Sequence, residues 1–373
     1  MEQHNNINNK GLPFVSICTP TFNRRPFIPY LIKCFSHQTY PKDRMEWIII
    51  DDGTDFISDL VAHIPQVKYF AYGRKMLLGE KRNLLNEKAS GEIIIYMDDD
   101  DYYPPERVSH AVETLLKTPD AMCAGSSIMY IYFKSLDKIY QFGPYGPKHS
   151  TAATFAFRRS LLTTNKYDNS LALAEEKSFL NNYSVPFVQL DPFKSILVFA
   201  HDHNSVNKEM LLENAHPDYI KATNLKVSDF IRDSDMQDFY MNKINVLLET
   251  YEPGRPEHKP EVVKQIEELK RVREAELERM KKENTQGITI KIGEAPPKTL
   301  SIKEVVQLLQ EQHTHIIQLT ELLKGKDMEI DILNGGHPAG FASRQPPSVA
   351  INPISPVSPH HLQSVQKEYK NIK

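Results

Sequence analysis

Residues 93–97, Ile-Ile-Ile-Tyr-Met, run directly into four consecutive aspartates, Asp98 to Asp101. An apolar run followed at once by charge reads as a buried strand that delivers several carboxylates together at its end. Residues 46–50 repeat the pattern and end in Asp51-Asp52-Gly53. In open sheets of mostly parallel strands, ligands sit beyond the carboxyl ends of the strands. Two acidic strand ends therefore point to that class of fold and mark where its site would lie.

The remainder of the first 250 residues agrees. Strands are expected at 14–19, 46–50, 67–72, 92–97 and 121–125, and helices at 26–38, 55–63, 77–88 and 105–117. Pro26 opens the first helix, where its missing N–H is harmless, and Gly91 follows the third as a stop. Strand and helix in alternation imply an α/β, Rossmann-like domain with a mostly parallel sheet and helices on both faces. Residues 129–140 suggest hairpin strands, 173–182 a helix, 185–200 further strands, and 224–250 a helical segment that closes the domain. Trp47, the only tryptophan, reads as core.

Composition shifts near Tyr251. Residues 261–282 are dense in Glu, Lys and Arg, with Glu267/Arg271 and Glu278/Lys282 at helical spacing. A linker follows at 284–298. Beyond it Ile302, Leu309, Ile316, Leu323 and Ile330 recur every seven residues, and Val305, Leu319 and Leu333 fill most of the second seam, interrupted by Gln312 and Lys326. That period predicts a coiled coil and self-association through residues 301–334. A single surface helix packed on the preceding domain is the plainer alternative. Residues 335–359, rich in Pro, Gly and Ser, read as a flexible tail. The expected division is a disordered start at 1–11, an α/β domain at 12–250, a charged helix and linker at 251–298, a coiled coil at 299–335 and a disordered tail at 336–373.

Net charge is −3 with no basic excess, which argues against nucleic acid as the main partner. The cysteines, Cys18, Cys34 and Cys123, are scattered and odd in number, as expected in a reducing compartment. Residues 1–10 are polar, with no signal-peptide pattern, and the longest apolar runs are too short to cross a bilayer. The expectation is a soluble, cytoplasmic chain without a transmembrane segment.

Adjacent carboxylates raise the cost of ionising one another, and a cation removes that penalty. Hard divalent ions such as Mg²⁺ or Mn²⁺ take oxygen ligands and leave positions open for phosphate oxygens. The plainer alternative for Asp98–Asp101 is an acidic surface loop. Four stretches decide between the two. Residues 15–24 (VSICTPTFNR), 48–54 (IIIDDGT), 79–83 (GEKRN) with 91–105, and 152–161 (AATFAFRRSL) together resemble a family 2 glycosyltransferase of the GT-A fold. The resemblance covers residues 12–205.

The resemblance implies residue roles. Thr19, Pro20 and Thr21 would line the nucleotide pocket, Asp51 would contact the base with Asp52 nearby, and Arg82 and Asn83 would support a uridine-like moiety. Asp98 and Asp100 match the family's Asp-x-Asp motif. Asp100 is the leading metal ligand, Asp98 faces the ribose or metal, and Asp99 and Asp101 are extra acids. His201 is similar in position to a late metal-side histidine. Asp51 or Asp52 could instead cap the helix near Asp55.

Sugar transfer also needs a base, because an acceptor hydroxyl is a poor nucleophile until its proton is removed during attack. Family members use a carboxylate, often in a Glu-Asp pair; here the stretch is Glu175-Glu176, one methylene longer at the second acid. Glu176 is preferred, then Glu175. The resemblance implies an inverting, metal-dependent transfer from a UDP-sugar or similar donor to a glycan, lipid or protein acceptor. The rivals are a catalytically degenerate scaffold held together by its coiled coil, and a nucleotidyltransferase.

Overall fold

The computed structural model describes residues 11–213, 216–285, 288–290, 298–300 and 302–333. The expected disordered ends at 1–11 and 336–373 lie almost wholly outside the described residues. Two compact units emerge, divided at Ile266/Glu267, and each is described by itself.

In the first unit, strands β1 (Val15–Thr21), β2 (Met45–Asp51), β3 (Val67–Ala71) and β4 (Ile93–Tyr96) alternate with helices α1 (Ile28–Ser36), α2 (Ser58–Val61), α3 (Leu78–Lys88) and α4 (Arg107–Lys117). Then come β5 (Cys123–Gly125), β6 (Met129–Phe133), β7 (Lys138–Phe142), β8 (Ala156–Arg158), α5 (Glu176–Phe179), β9 (Phe187–Gln189), β10 (Leu197–Ala200), α6 (Met210–Glu213) and β11 (Ile220–Ala222). Helices α7 (Ser234–Asp238) and α8 (Ile244–Glu249) are joined by one π turn, and α9 (Pro260–Thr285) begins in this unit.

The main sheet has the order β3-β2-β1-β4-β8-β5-β9. Its first four strands are parallel, and β8 runs antiparallel between β4 and β5. A second sheet, β10-β6-β7-β11, stands beside it. Both faces of the main sheet are buried, which is why Trp47–Ile50 of β2 and all of β4 are continuous apolar runs. Trp47, Ile49, Ile93 and Ile95 pack on one side with Leu31 of α1 and Val108, Ala111 and Leu115 of α4. Ile48, Ile50, Ile94 and Tyr96 pack on the other with Leu85 of α3. The α/β architecture and mostly parallel sheet expected from the sequence are present.

Three local expectations need correction. Residues 173–182 hold only the single turn α5, because Ala174, Asn181, Asn182 and Tyr183 all take positive φ (53°, 48°, 53° and 60°), a region right-handed helices do not enter. Helix within 224–250 starts only at Ser234, where Asp233 accepts from two backbone amides as a cap. The linker at 284–298 contributes to a two-stranded sheet, β12 (Ile288–Ile290) with β13 (Lys298–Leu300). The first unit also continues beyond residue 250, through Ile266.

In the second unit, α10 (Ile302–Leu333) spans the heptad region as one unbroken helix. Leu309, Ile316, Leu319, Leu323 and Ile330 are 53–64% exposed on the single chain. The side chains of Ile302 and Leu333 lie outside the described ones. Among the described residues no helix is long and apolar enough to cross a membrane. All three cysteines are buried and free of disulfides.

Gly79, in the first turn of α3, shows how tightly the site's surroundings are fitted. A Cβ there would lie 2.0 Å from the Asp168 carbonyl oxygen. Alanine ordinarily stabilises a helix by about 1 kcal/mol relative to glycine. Here Gly79→Ala is expected to do the reverse, destabilising by about 1–3 kcal/mol through overpacking. A denaturant titration reads the sign directly.

Candidate active site at the strand ends

β1 lies between β2 and β4, so the acidic ends of its two neighbours flank it. Thr21 pairs with Asp51, and Cys18 with Tyr96. That is the crevice where chain direction diverges, the usual ligand position in such sheets.

Several residues expected to meet a nucleotide have side chains engaged with the protein itself. Thr19 accepts from Trp47 Nε1 at 2.9 Å and donates to the Met97 carbonyl at 2.7 Å. Asp51 accepts from the Gly53 and Ile57 amides at 3.0 and 3.2 Å and from the Tyr69 hydroxyl at 2.7 Å, fixing the turn into α2. Burial pushes its pKa up, and those donors oppose the rise. Asp52 accepts from the Met76 amide at 2.6 Å and pairs with Lys81, which also donates to the Thr21 carbonyl at 3.1 Å. Asn83 donates to the Tyr167 carbonyl at 2.8 Å and accepts from the Tyr167 amide at 2.9 Å. Pro20 faces the open cleft.

The four aspartates fan apart. Asp98 turns to Arg82, 3.4 Å away, and its amide donates to the Tyr103 hydroxyl at 2.6 Å. Asp99 and Asp100 turn to Arg24, whose Nε lies 3.7 and 3.6 Å from their oxygens. Thr21 sits beside Asp99 and favours its charged form. Burial, and then the Asp100 charge, nevertheless lift Asp99 to about 7. Asp101 is buried, and its Oδ1 has no partner among the described residues.

Asp100 faces His201, Oδ2 to Nε2 at 3.3 Å. Burial drives Asp100 up, but the His201 contact and Arg24 hold it below the usual carboxylate range. Burial brings His201 down to about 4, so its imidazole is neutral at physiological pH. Its Nδ1 has no partner among the described residues. A hard carboxylate and a neutral imidazole side by side form a suitable donor set for a divalent ion. No group of three or more His, Cys, Asp or Glu forms a complete cage among the described residues. Asp100 and His201 could supply two protein ligands to a divalent ion, leaving the other positions to phosphate oxygens and water.

Arg82 joins this cluster to the expected base. It is buried, lies over the Tyr96 ring at 4.6 Å, and donates from Nε to Glu175 at 2.7 Å while its other nitrogens face Asp98. Glu175 is thereby paired. Glu176 pairs with no cation among the described residues; burial first, and the Glu175 charge second, raise its pKa to about 8 against the opposing pull of Arg82. Ala174 immediately upstream holds positive φ. A non-glycine residue in that region costs energy and is common near functional sites.

A cleft of about 160 Å³ opens between these groups, bordered by Pro20, Phe22, Arg24, Lys81, Arg82 and Asp98–Asp100 on the strand side. Lys259, Glu261 and Val262 form its other wall. They belong to a strap, residues 251–265, held by Arg24 to the Gly254 carbonyl at 3.0 Å, Lys75 to Glu261 at 2.5 Å, and Gln265 to the Ser170 carbonyl at 2.7 Å. Arg24, Lys81, Phe22 and Lys259 were not singled out from the sequence. Arg24 closes the quoted stretch 15–24, which was a local signal; Lys259 is far along the chain and had none.

Residues 16–170 match the family described as Glycosyl transferase family 2. A GalNAc(5)-diNAcBac-PP-undecaprenol beta-1,3-glucosyltransferase of Campylobacter jejuni is 33% identical over 113 residues, 28% of this chain and 34% of that protein. A poly(ribitol-phosphate) beta-N-acetylglucosaminyltransferase of Staphylococcus aureus is 28% identical over 105 residues, 26% of this chain and 18% of that protein. A solved Pyrobaculum calidifontis mannosyltransferase in complex with GDP-Man and Mn2+ superposes with a TM-score of 0.43 at 15% identity, covering 55% of this chain and 66% of that one. The chain spans 18–48% of the length of the curated relatives it matches.

Proposed function

We infer that this chain, whose residues 16–170 match glycosyl transferase family 2, moves a sugar from a nucleotide-diphosphate donor to an acceptor hydroxyl. One observation carries the reading. Arg82 bonds at once to Asp98 at the acidic strand end and to Glu175, the neighbour of Glu176, and this link supports a diphosphate site and a base that act as one unit. An acid cluster that was only a surface loop would have no such link.

In this mechanism Glu176 accepts the proton of the acceptor hydroxyl as that oxygen bonds to the anomeric carbon. The bond from that carbon to the diphosphate oxygen breaks, and its electron pair leaves with the nucleotide diphosphate. Attack from the opposite face inverts the configuration. Glu175 holds Arg82, and Arg82 holds Asp98. A divalent ion, Mn²⁺ or Mg²⁺, held by Asp100 and His201 with Asp98 nearby would neutralise charge on the departing diphosphate. UDP-sugars are the first donor class in this reading, and the acceptor is a glycan, lipid or protein. The three reduced, buried cysteines support a cytoplasmic setting.

The test is a thermal-shift screen of nucleotide-sugars with and without Mn²⁺. A ligand at about 100 times its Kd stabilises by about 2.7 kcal/mol. One donor is expected to raise the melting temperature only when Mn²⁺ is present. A flat response to every donor and both ions would remove the reading.

We also propose that residues 301–334 pair copies of this chain. Support comes from the seven-residue period along an uninterrupted helix whose seam residues Leu309 and Leu323 are 63% and 64% exposed on one chain. Leu309→Glu with Leu323→Glu is expected to reduce the mass in light scattering to that of a single chain, with nucleotide binding retained. An unchanged oligomer, or a monomeric parent, would refute it.

A further inference from the structure

The cleft wall formed by residues 251–265 lies outside the stretch that matches the family. Its contribution has to be judged from its own side chains. Three lysines surround Phe22 inside the cleft: Lys75 at 4.4 Å from the ring centre, Lys81 at 5.8 Å and Lys259 at 6.0 Å. The aromatic face offers each a weak attraction. Their other partners differ. Lys75 pairs with Glu261, and Lys81 pairs with Asp52. Lys259 is 7% exposed, donates to the Ser205 hydroxyl at 2.8 Å, and makes no ion pair with a carboxylate among the described residues.

A buried ammonium with only a hydroxyl for company is unfavourable unless an anion completes its surroundings. Asp99 and Asp100 favour the charged form of Lys259, but burial, the largest effect, still drives its pKa well down, and neither acid comes within ion-pair distance of it: both lie toward Arg24. The cleft that Lys259 faces is the one that opens on the acidic strand end.

We propose that Lys259 is a donor-binding residue, carried by the strap at 251–265, that contacts the diphosphate of the nucleotide from the side opposite the acidic strand end. The inference rests on the reading of the cleft as a donor site and adds a group supplied from beyond the family domain. It divides the work between two walls: the strand ends hold what bridges to the diphosphate through its oxygens, and the strap supplies a direct positive charge.

The experiment measures binding of UDP, UMP, GDP and GMP by calorimetry, in Mn²⁺, to the full chain and to Lys259→Met and Lys259→Arg. The natural chain is expected to prefer each diphosphate over its monophosphate. Lys259→Met is expected to reduce that preference about tenfold or more, the usual weight of a charge-assisted hydrogen bond, while monophosphate affinity holds within about threefold. Lys259→Arg keeps the charge and is expected to restore most of the preference. A lysine that merely propped up the strap would change both affinities together. Lys259→Gln gives the same reading should the Met variant fail to fold. An unchanged diphosphate preference in Lys259→Met overturns this inference alone. No binding of any of the four nucleotides to the natural chain overturns the donor-site reading along with it.

Discussion

Asp100→Ala is expected to abolish the Mn²⁺-dependent part of UDP affinity and to lower turnover by about 10²–10³-fold, the usual loss when one electrostatic contact to a developing charge is removed. Among the four aspartates, Asp100 is the one that faces a neutral imidazole. Its removal leaves His201 as a lone ligand, too weak to hold a hard divalent ion by itself. The fold is expected to survive. Asp100 is crowded by Asp99 and Asp101, so losing its charge relieves repulsion. Arg24 keeps Asp99, the His203 carbonyl at 2.6 Å and the Gly254 carbonyl at 3.0 Å. Asp101→Asn provides the comparison. That residue is 6% exposed and does not line the cleft, so an isosteric amide there is expected to leave Mn²⁺-dependent affinity in place. Calorimetry of UDP with and without MnCl₂ checks both variants. Full Mn²⁺ dependence in Asp100→Ala would show that the ion is held elsewhere.

The sheet was readable because burial on both faces writes itself into composition. Trp47–Ile50 of β2 and all of β4 are continuous apolar runs, and only a strand covered on both sides tolerates that. The acid cluster was equally plain, since strand ends place consecutive residues in one small region. Side-chain direction was not readable. Asp51, Asp52, Thr19 and Asn83 sit at the expected strand and helix ends, yet their polar atoms bond to Tyr69, Lys81, Trp47 and Tyr167, contacts of 18 to 84 residues in separation. No local pattern carries such pairings. The stretch 173–182 misled for a related reason: its composition suits a helix, but Asn181 and Asn182 accept positive φ and end α5 after one turn. Lys259 was least visible of all. It lies just before the charged run at 261–282, outside every stretch with a readable pattern, and only tertiary packing turns it inward.

Glu176→Gln is expected to lower kcat by about 10²–10⁴-fold, the usual contribution of a positioned base, with UDP affinity unchanged because Glu176 does not border the nucleotide cleft. The pH dependence makes the assignment sharper. Glu176 titrates at about 8 in the free protein, raised by burial and then by the Glu175 charge. A base must be ionised to accept a proton, so the sign is fixed: kcat/KM rises with pH and reaches half its plateau near pH 8. At pH 7, one unit below, only about a tenth of the molecules hold the ionised form. Glu175→Gln separates the two acids. It removes the negative neighbour and leaves the Arg82 charge closer to uncompensated, and both changes favour ionised Glu176. The rising limb is therefore expected to move to lower pH. The same change breaks a buried pair and is expected to destabilise the fold by about 3–5 kcal/mol, which a melting curve reads independently of rate. Were Glu175 itself the base, Glu175→Gln would erase activity at every pH, and Glu176→Gln would leave the limb where it was.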